Sequence, residues 1–174
     1  MTLTYEMRNL INELTQEIID VYEIAIPILD IDAVAKRLGG VIVESERLSE
    51  YSDGYVRKIG NNFEIVVSKN QPKNRRNFTI AHELGHLFLH MGYKIDPMKW
   101  NNQKNTYYRK GYSIQEYEAN EFAAALLMPK KAYKRIMDKY TEDDIVYTHK
   151  IAEEFNVSVN AASNRGKWLG YLQW

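Results

Sequence analysis

The chain has no cysteine. Disulfides and thiolate metal sites are therefore excluded, and histidine becomes the natural metal ligand by elimination. A surplus of either charge is missing as well: 23 Lys and Arg balance 23 Asp and Glu. No global field draws such a chain onto DNA or an anionic membrane. No stretch approaches the ~20 consecutive apolar residues of a membrane span. Residues 1–20 are polar and amphipathic rather than basic then apolar, so no secretory signal is visible and a cytoplasmic location is expected. Internal repeats and low-complexity segments are absent too. What remains is 174 residues, enough for one domain, or one domain with a small appendage, that buries its own core.

Of the four histidines, three fall in one stretch, Phe78-Thr-Ile-Ala-His82-Glu83-Leu-Gly-His86-Leu-Phe-Leu-His90. On a helix, His82 and His86 stand one turn apart on one face, so both imidazoles reach the same ion, while Glu83 is rotated by about 100° onto the rim. Two neutral histidines would hold a zinc ion, with a third ligand from elsewhere and a fourth position open to water, whose pKa the metal lowers to roughly 7. Glu83 is the candidate general base for that water. The competing reading is a core helix with buried, hydrogen-bonded histidines. Ile80, Leu84, Leu87 and Met91 form one apolar stripe, with Phe78, Gly85 and Leu89 beside the histidines, so the helix is expected to be buried on both sides. Unpaired histidines and a glutamate buried there would be costly, and a metal removes most of that cost. Gly85, worth about 1 kcal/mol against a helix relative to alanine, needs a reason such as close approach of a neighbouring strand.

Ahead of this helix, Met7, Leu10, Ile11, Leu14, Ile18 and Val21 mark an amphipathic helix over 5–24, expected as a lid or dimer surface. Asp30 is the N-cap of a helix through Leu38, stopped by Gly39-Gly40. Three β-branched or aromatic runs, 41–43, 54–57 and 63–67, predict a small antiparallel sheet. One of its edge strands would either offer backbone groups to an extended substrate or merely cover the helix. Residues 93–112, with Trp100, Tyr107, Tyr108, Arg109 and Tyr112 but almost no periodicity, read as a long surface loop that either walls a cleft and steadies an oxyanion or only covers the domain.

The next helix runs from Ile114 to Met128, opened by Ser113 and closed at Pro129. Its buried arc is Ala119, Phe122, Ala123, Leu126 and Leu127. Glu116 lies about 60° from Ala119 on the core side, Glu118 about 100° off on the other, and Glu121 is expected to point outward. Glu116 is thus the favoured third ligand and Glu118 the reserve, with Asn120 one turn on to hydrogen-bond a ligand histidine. Against this, Ser113-Ile-Gln-Glu116 also fits a capping box, in which Glu116 would only reach back to the Ser113 N–H.

The segments Arg-Asn-Phe-Thr-Ile-Ala-His-Glu-Leu-Gly-His-Leu-Phe-Leu-His (76–90) and Glu-Tyr-Glu-Ala-Asn-Glu-Phe-Ala-Ala-Ala-Leu-Leu-Met-Pro (116–129) together resemble the ImmA/IrrE family of metallopeptidases, over roughly 30–170. The resemblance implies an α+β, zincin-like domain with an HExxH helix and further packing helices, zinc on His82, His86 and a glutamate of the second motif, and Glu83 as general base. It further implies that the substrate is a helix-turn-helix repressor, commonly encoded with the enzyme on mobile elements or in toxin–antitoxin-like pairs. His90 follows the family motif but lies a full turn beyond His86, and is expected to support the site or pack rather than ligate. Residues 1–28 fall outside the resemblance as a separate amphipathic helix, leaving 29–174 as the peptidase domain. Within it, Thr141-Glu-Asp-Asp opens a helix through Phe155, Asn156 to Ser158 turn, and a last helix runs from Val159 to Leu169. That outline over 141–170 is helix-turn-helix-like, but the last helix offers only Arg165 and Lys167 to phosphates, so packing under the domain is the expectation and direct nucleic-acid binding is not. Two functions compete: a zinc endopeptidase making one cut in a partner protein, and a metal-containing regulator that acts by binding protein or DNA. The intact His82, Glu83 and His86 favour the first, since a binding module needs no general base.

Overall fold

A computed structural model of the chain describes residues 3–46, 48, 53–103 and 113–173. Helix α1 (Tyr5–Val21) starts at Thr4, whose hydroxyl oxygen accepts the Met7 N–H. It turns Ile11, Thr15, Ile18 and Ile19 inward and packs on a helix more than a hundred residues downstream, so it is built into the domain's packing rather than laid over it as a lid. Helix α2 (Ile31–Leu38) is capped at one end by the Asp30 carboxylate, which accepts the Asp32 and Ala33 N–H groups at 3.0 and 3.1 Å. Gly39 closes the other end at φ 101°, a left-handed conformation that side chains with a Cβ avoid.

Strands β1 (Gly40–Ser45), β2 (Gly54–Ile59) and β3 (Asn62–Ser68) form one sheet in the order β1-β3-β2. The expected all-antiparallel sheet is corrected here. β2 and β3 are antiparallel, with Gly54 opposite Val67, but β1 runs parallel to β3, with Gly40 opposite Phe63. The Gly-Asn-Asn turn joins β2 to β3 directly, whereas β1 lies on the far side of β3 and has no such constraint on its direction. The strand just ahead of the histidine helix is thus the central one. Phe63, Glu64, Ile65, Val66 and Val67 are all buried, the continuous run of a strand covered on both faces.

Helix α3 (Lys73–Gly85) crosses this sheet and continues as one π-helical turn, His86–His90. Ile80, Leu84 and Leu87 sit in the core with Ile65 and Val67 of β3. The segment read as a long loop contains a short helix, α4 (Pro97–Asn101), capped by Asp96. Tyr93 and Trp100 are buried in edge-to-face contact, ring centroids 4.8 Å apart. Single aromatic anchors of this kind leave no periodicity to read. Tyr107, Tyr108, Arg109 and Tyr112 lie outside the described residues.

Helix α5 (Ile114–Leu127) packs against both α3 and α1. Behind it comes α6 (Lys130–Lys139), a helix to which the sequence reading assigned nothing, entered directly from Pro129 and burying Tyr133, Ile136 and Met137. The helix expected to open at Thr141 begins only at Thr148. Residues Thr141–Glu142 and Ile145–Val146 pair as a two-stranded ribbon, β4 and β5, joined by Asp143 and Asp144 at φ 49° and 63°. Aspartate tolerates that left-handed turn, and the turn blocks an earlier helix start. Helices α7 (Thr148–Phe155) and α8 (Val159–Trp168) follow, hinged at Asn156, with Ser158 capping α8. Among the described residues no helix is long and apolar enough to cross a membrane.

Candidate metal centre

The centre lies where α3 meets α5. At Gly85, halfway between the two histidine turns, a Cβ would come within 2.9 Å of the Ala119 Cα and 3.0 Å of its carbonyl oxygen. The glycine is therefore needed, but for a neighbouring helix rather than the strand expected from sequence. Because Ala119 stands between Glu116 and Asn120, this contact sets the distance from the histidine pair to both of those side chains.

His82 and His86 are buried, at 5% and 0% exposure, and Glu83 beside them is at 1%. Their Nε2 atoms are 2.9 Å apart. The Glu116 carboxylate oxygens lie 3.3 Å from His82 Nε2 and 3.2 Å from His86 Nε2. A tetrahedral ion with bonds of about 2.0–2.1 Å holds its donors about 3.4 Å apart, which the two histidine–carboxylate separations match, while the two imidazole nitrogens stand about 0.5 Å closer together than that. Among the described residues this trio is the one group of histidine, aspartate and glutamate side chains placed to hold an ion. Burial by itself would raise the Glu116 carboxyl, but hydrogen bonding to His82 and His86 and their charge outweigh it and hold the group well below the usual carboxylate range. An anionic Glu116 is the form a cation needs.

Asn120 Oδ1 lies 2.8 Å from His82 Nδ1, one turn along α5 from Glu116. The alternative role for Glu116 as a capping-box partner is not what the geometry shows, since Ser113 caps α5 without any side-chain bond and the Glu116 carboxylate faces the histidines. Glu118, the reserve ligand, points instead to His90, with Oε2 2.9 Å from His90 Nε2. His90 in turn sets its Nδ1 2.8 Å from His86 Nδ1. Burial pushes the His90 imidazole down to about 4, with the hydrogen bond to Glu118 acting in the opposite sense, so the ring is neutral near pH 7.

Glu121, expected to point outward, is buried at 6% exposure. Its carboxylate pairs with Arg8 of α1 and accepts from Asn12 Nδ2 at 2.8 Å and Arg165 Nη1 at 3.0 Å. Arg165 also donates to the Asn12 Oδ1 at 2.7 Å and the Met128 carbonyl at 3.0 Å. One of the two cations of the last helix is thus committed to the interior. Burial lowers its pKa, against the opposing pull of Glu121. The helix wheel missed Glu121 because α5 has neighbours on more than one side. A readable signal was Arg165 among the alanines and asparagines of a short helix, a cation in need of an anion.

A cleft of about 690 Å³ opens beside the centre, between the start of α3, α5 and α8. Asn120 forms part of its wall, so the residue that holds His82 also faces the cleft. Phe78, Tyr117 and Trp168 supply its aromatic surface, and Asn74, Asn160 and Asn164 its amides.

Comparison with known proteins agrees with this geometry. The chain matches the sequence model for IrrE N-terminal-like domains, Peptidase_M78, over residues 30–167. No curated protein sequence matches it significantly. Among solved structures it is similar to a Mycobacterium tuberculosis transcriptional regulator, with a TM-score of 0.58 at 13% identity. That similarity covers 92% of this chain but only 48% of the other, so the chain spans about half of that protein's length.

Proposed function

Starting from the fact that the chain belongs to the IrrE N-terminal-like Peptidase_M78 family, we propose that it is a zinc endopeptidase making a site-specific cut in a partner protein. The observation that carries the reading is the convergence of His82, His86 and Glu116 with Glu83 buried on the same helix. His82 Nε2, His86 Nε2 and a Glu116 oxygen would hold the ion, which when bound acts as a Lewis acid toward water and the scissile carbonyl. Glu83 takes a proton from the attacking water and returns it to the leaving amine. Asn120 and His90 orient the two ligand rings from behind.

An extended segment of the partner would enter by two routes the fold leaves open. Strand β2 is an edge of the three-stranded sheet, and its first residue, Gly54, is packed against Thr79, one turn before His82. A polypeptide can add to such an edge through its own backbone groups. The cleft beside Asn120 would take the side chains that follow, with amides to pair with peptide groups and aromatic rings for apolar residues. The partner proposed is a helix-turn-helix repressor or antitoxin encoded nearby, with a loop or linker as the cut segment and cytoplasm as the place of action. A regulator that works by binding is the second reading, favoured by the similarity to a transcriptional regulator.

Co-expression with the product of the adjacent gene separates the two. One defined cut, seen by mass spectrometry and lost in Glu83→Gln, supports the peptidase. An intact partner whose repression is nevertheless relieved supports the regulator. Broad digestion of unrelated proteins would defeat both.

A further inference from the structure

We propose that the outward side of α1 is a docking surface for a cationic amphipathic helix of the partner protein. This surface deepens the partner reading above, on which it rests for there being a partner at all, and it uses no residue of the metal centre. Helix α1 is apolar over more of its circumference than the domain covers. At 100° per residue, Met7, Leu10, Leu14 and Val21 fall within about 60° of one another, next to the buried Ile11 and Ile18 but turned away from the core. Met7, Leu10 and Val21 are open to solvent, at 39%, 61% and 67% exposure, and Leu14 is half-buried at the edge of the core. Apolar residues at this spacing form the seam that one helix offers to another.

Beside the stripe runs a row of one charge. Glu6, Glu13, Glu17 and Asp20 also fall within about 60° of one another, with the stripe between them and the buried isoleucines, and all four are exposed. Among the described residues none of the four has an ion-pair partner, although Lys130 and Lys131 line a groove together with Glu13. The Asp20 carboxylate accepts from a neutral amide, Gln16 Nε2, at 2.9 Å. The row is set against the helix's own stability. Glu13 and Glu17 are like charges one turn apart, and Glu17 and Asp20 approach the C-terminal end, where the helix dipole favours cations and the last turn holds none. A helix with lysines or arginines flanking its own apolar face would cover the stripe and neutralise the row together. A second copy of the chain does not bring that chemistry on α1, whose one cation, Arg8, is turned inward onto Glu121. An anionic lipid surface is repelled by the same row. A DNA-binding partner, by contrast, carries cations for phosphate contacts. The helix precedes the family match at 30–167, so this surface is separate from the matched domain.

The test is fluorescence anisotropy with a labelled model peptide, a helix with leucine on one face and lysine on its flanks. Two controls run beside it: a scrambled peptide of the same composition, and an ordered one with glutamate in place of lysine. The full chain is expected to bind the ordered lysine peptide, less tightly as salt rises, and to bind both controls at least about tenfold more weakly. Leu10→Ser should weaken binding about tenfold or more, as the loss of one buried leucine contact implies. Glu13→Lys combined with Glu17→Lys should weaken binding of the lysine peptide and strengthen that of the glutamate peptide, an exchange that a merely structural effect does not produce. Thermal melts check that the variants fold, and Val21→Ser takes the place of Leu10→Ser if it does not. Equal binding of the scrambled and ordered peptides, or parent-like affinity in both Leu10→Ser and the charge reversal, would overturn the surface. So would a dimer seen by light scattering that Leu10→Ser dissociates, or binding to phosphatidylserine-containing vesicles that Leu10→Ser abolishes, since another occupant then covers the face. The peptide experiment needs no metal, so it and the Glu83→Gln cleavage assay fail independently.

Discussion

Replacing Gly85 by alanine sets two magnitudes against each other at the point where the metal centre is assembled. In favour of the variant, an alanine inside a helix gains about 1 kcal/mol over glycine. Against it, the new methyl would lie 2.9 Å from the Ala119 Cα, 3.0 Å from the Ala119 carbonyl oxygen and 3.1 Å from the Phe122 Cβ. Two of those atoms are backbone and cannot swing aside, so α3 and α5 must separate by about 0.5 Å to restore ordinary contact at 3.4 Å. Overpacking of this kind costs about 1–3 kcal/mol, so the net change runs from nothing to a loss of about 2 kcal/mol. At about 2–4 °C per kcal/mol for a chain of this size, the metal-free melting point should fall by up to roughly 8 °C. The effect on the metal is larger in proportion. Metal–ligand distances tolerate about 0.2 Å, and the separation falls between the histidines on α3 and Glu116 on α5. Zinc affinity should drop at least about tenfold, which is about 1.4 kcal/mol. Thermal melts in chelator and zinc titration of parent and variant are the assays. A variant that melts above the parent and binds zinc equally well would refute the claim that this glycine spaces the two helices.

Freshly purified protein is expected to carry close to one zinc per chain by elemental analysis, with His82→Ala and His86→Ala each losing it. Glu116→Ala should lose most of the metal and Glu118→Ala only weaken its binding, and the reverse order would show that the wrong carboxylate has been assigned as ligand. Glu83→Gln should fold, melt within a degree or so of the parent and keep its metal while cutting nothing, because an amide cannot accept the proton. Glu121→Ala leaves Arg165 buried and Arg8 nearly so without an anion, and denaturant unfolding should show a loss of about 3–5 kcal/mol. A loss under 1 kcal/mol would mean that water or a neighbouring group replaces the carboxylate.

The parts of the centre legible in the sequence are those fixed by short-range geometry. One helical turn relates His82 to His86, and one turn relates Glu116 to Asn120, so each pair could be placed on a helix face before anything was known of the fold. The choice between Glu116 and Glu118 followed from the same 100° step, since only one of them shares the arc of Ala119 and Ala123. His90 was expected from the same step to support the site or pack rather than ligate, and its Nδ1 lies 2.8 Å from His86 Nδ1, in the π turn that continues the helix. The burial of Tyr93 and Trp100 was hidden, since neither belongs to a repeating pattern.

What escaped the sequence depends on partners far along the chain. The direction of β1 is one case, decided by which side of β3 it occupies rather than by its own residues. The outward assignment of Glu121 is the more instructive one. A single helix wheel assumes one buried face, but α5 lies between α3, which brings the histidines, and α1 with α8, which bring Arg8, Asn12 and Arg165. Its two sides carry carboxylates for opposite reasons. Glu116 faces two histidines that need a cation to complete them, whereas Glu121 is already completed by two arginines and an amide. The second arrangement bears on the first, because the Glu121 cluster ties α1 and α8 to the back of the helix whose front holds Glu116 and Asn120. The first helix, outside the family match at residues 30–167, contributes two of the side chains in that tie. Helix α1 is therefore tied to the helix that carries part of the metal centre. Removing α1 would strip Glu121 of Arg8 and Asn12 and leave Arg165 to balance it alone, loosening the helix that carries the third ligand.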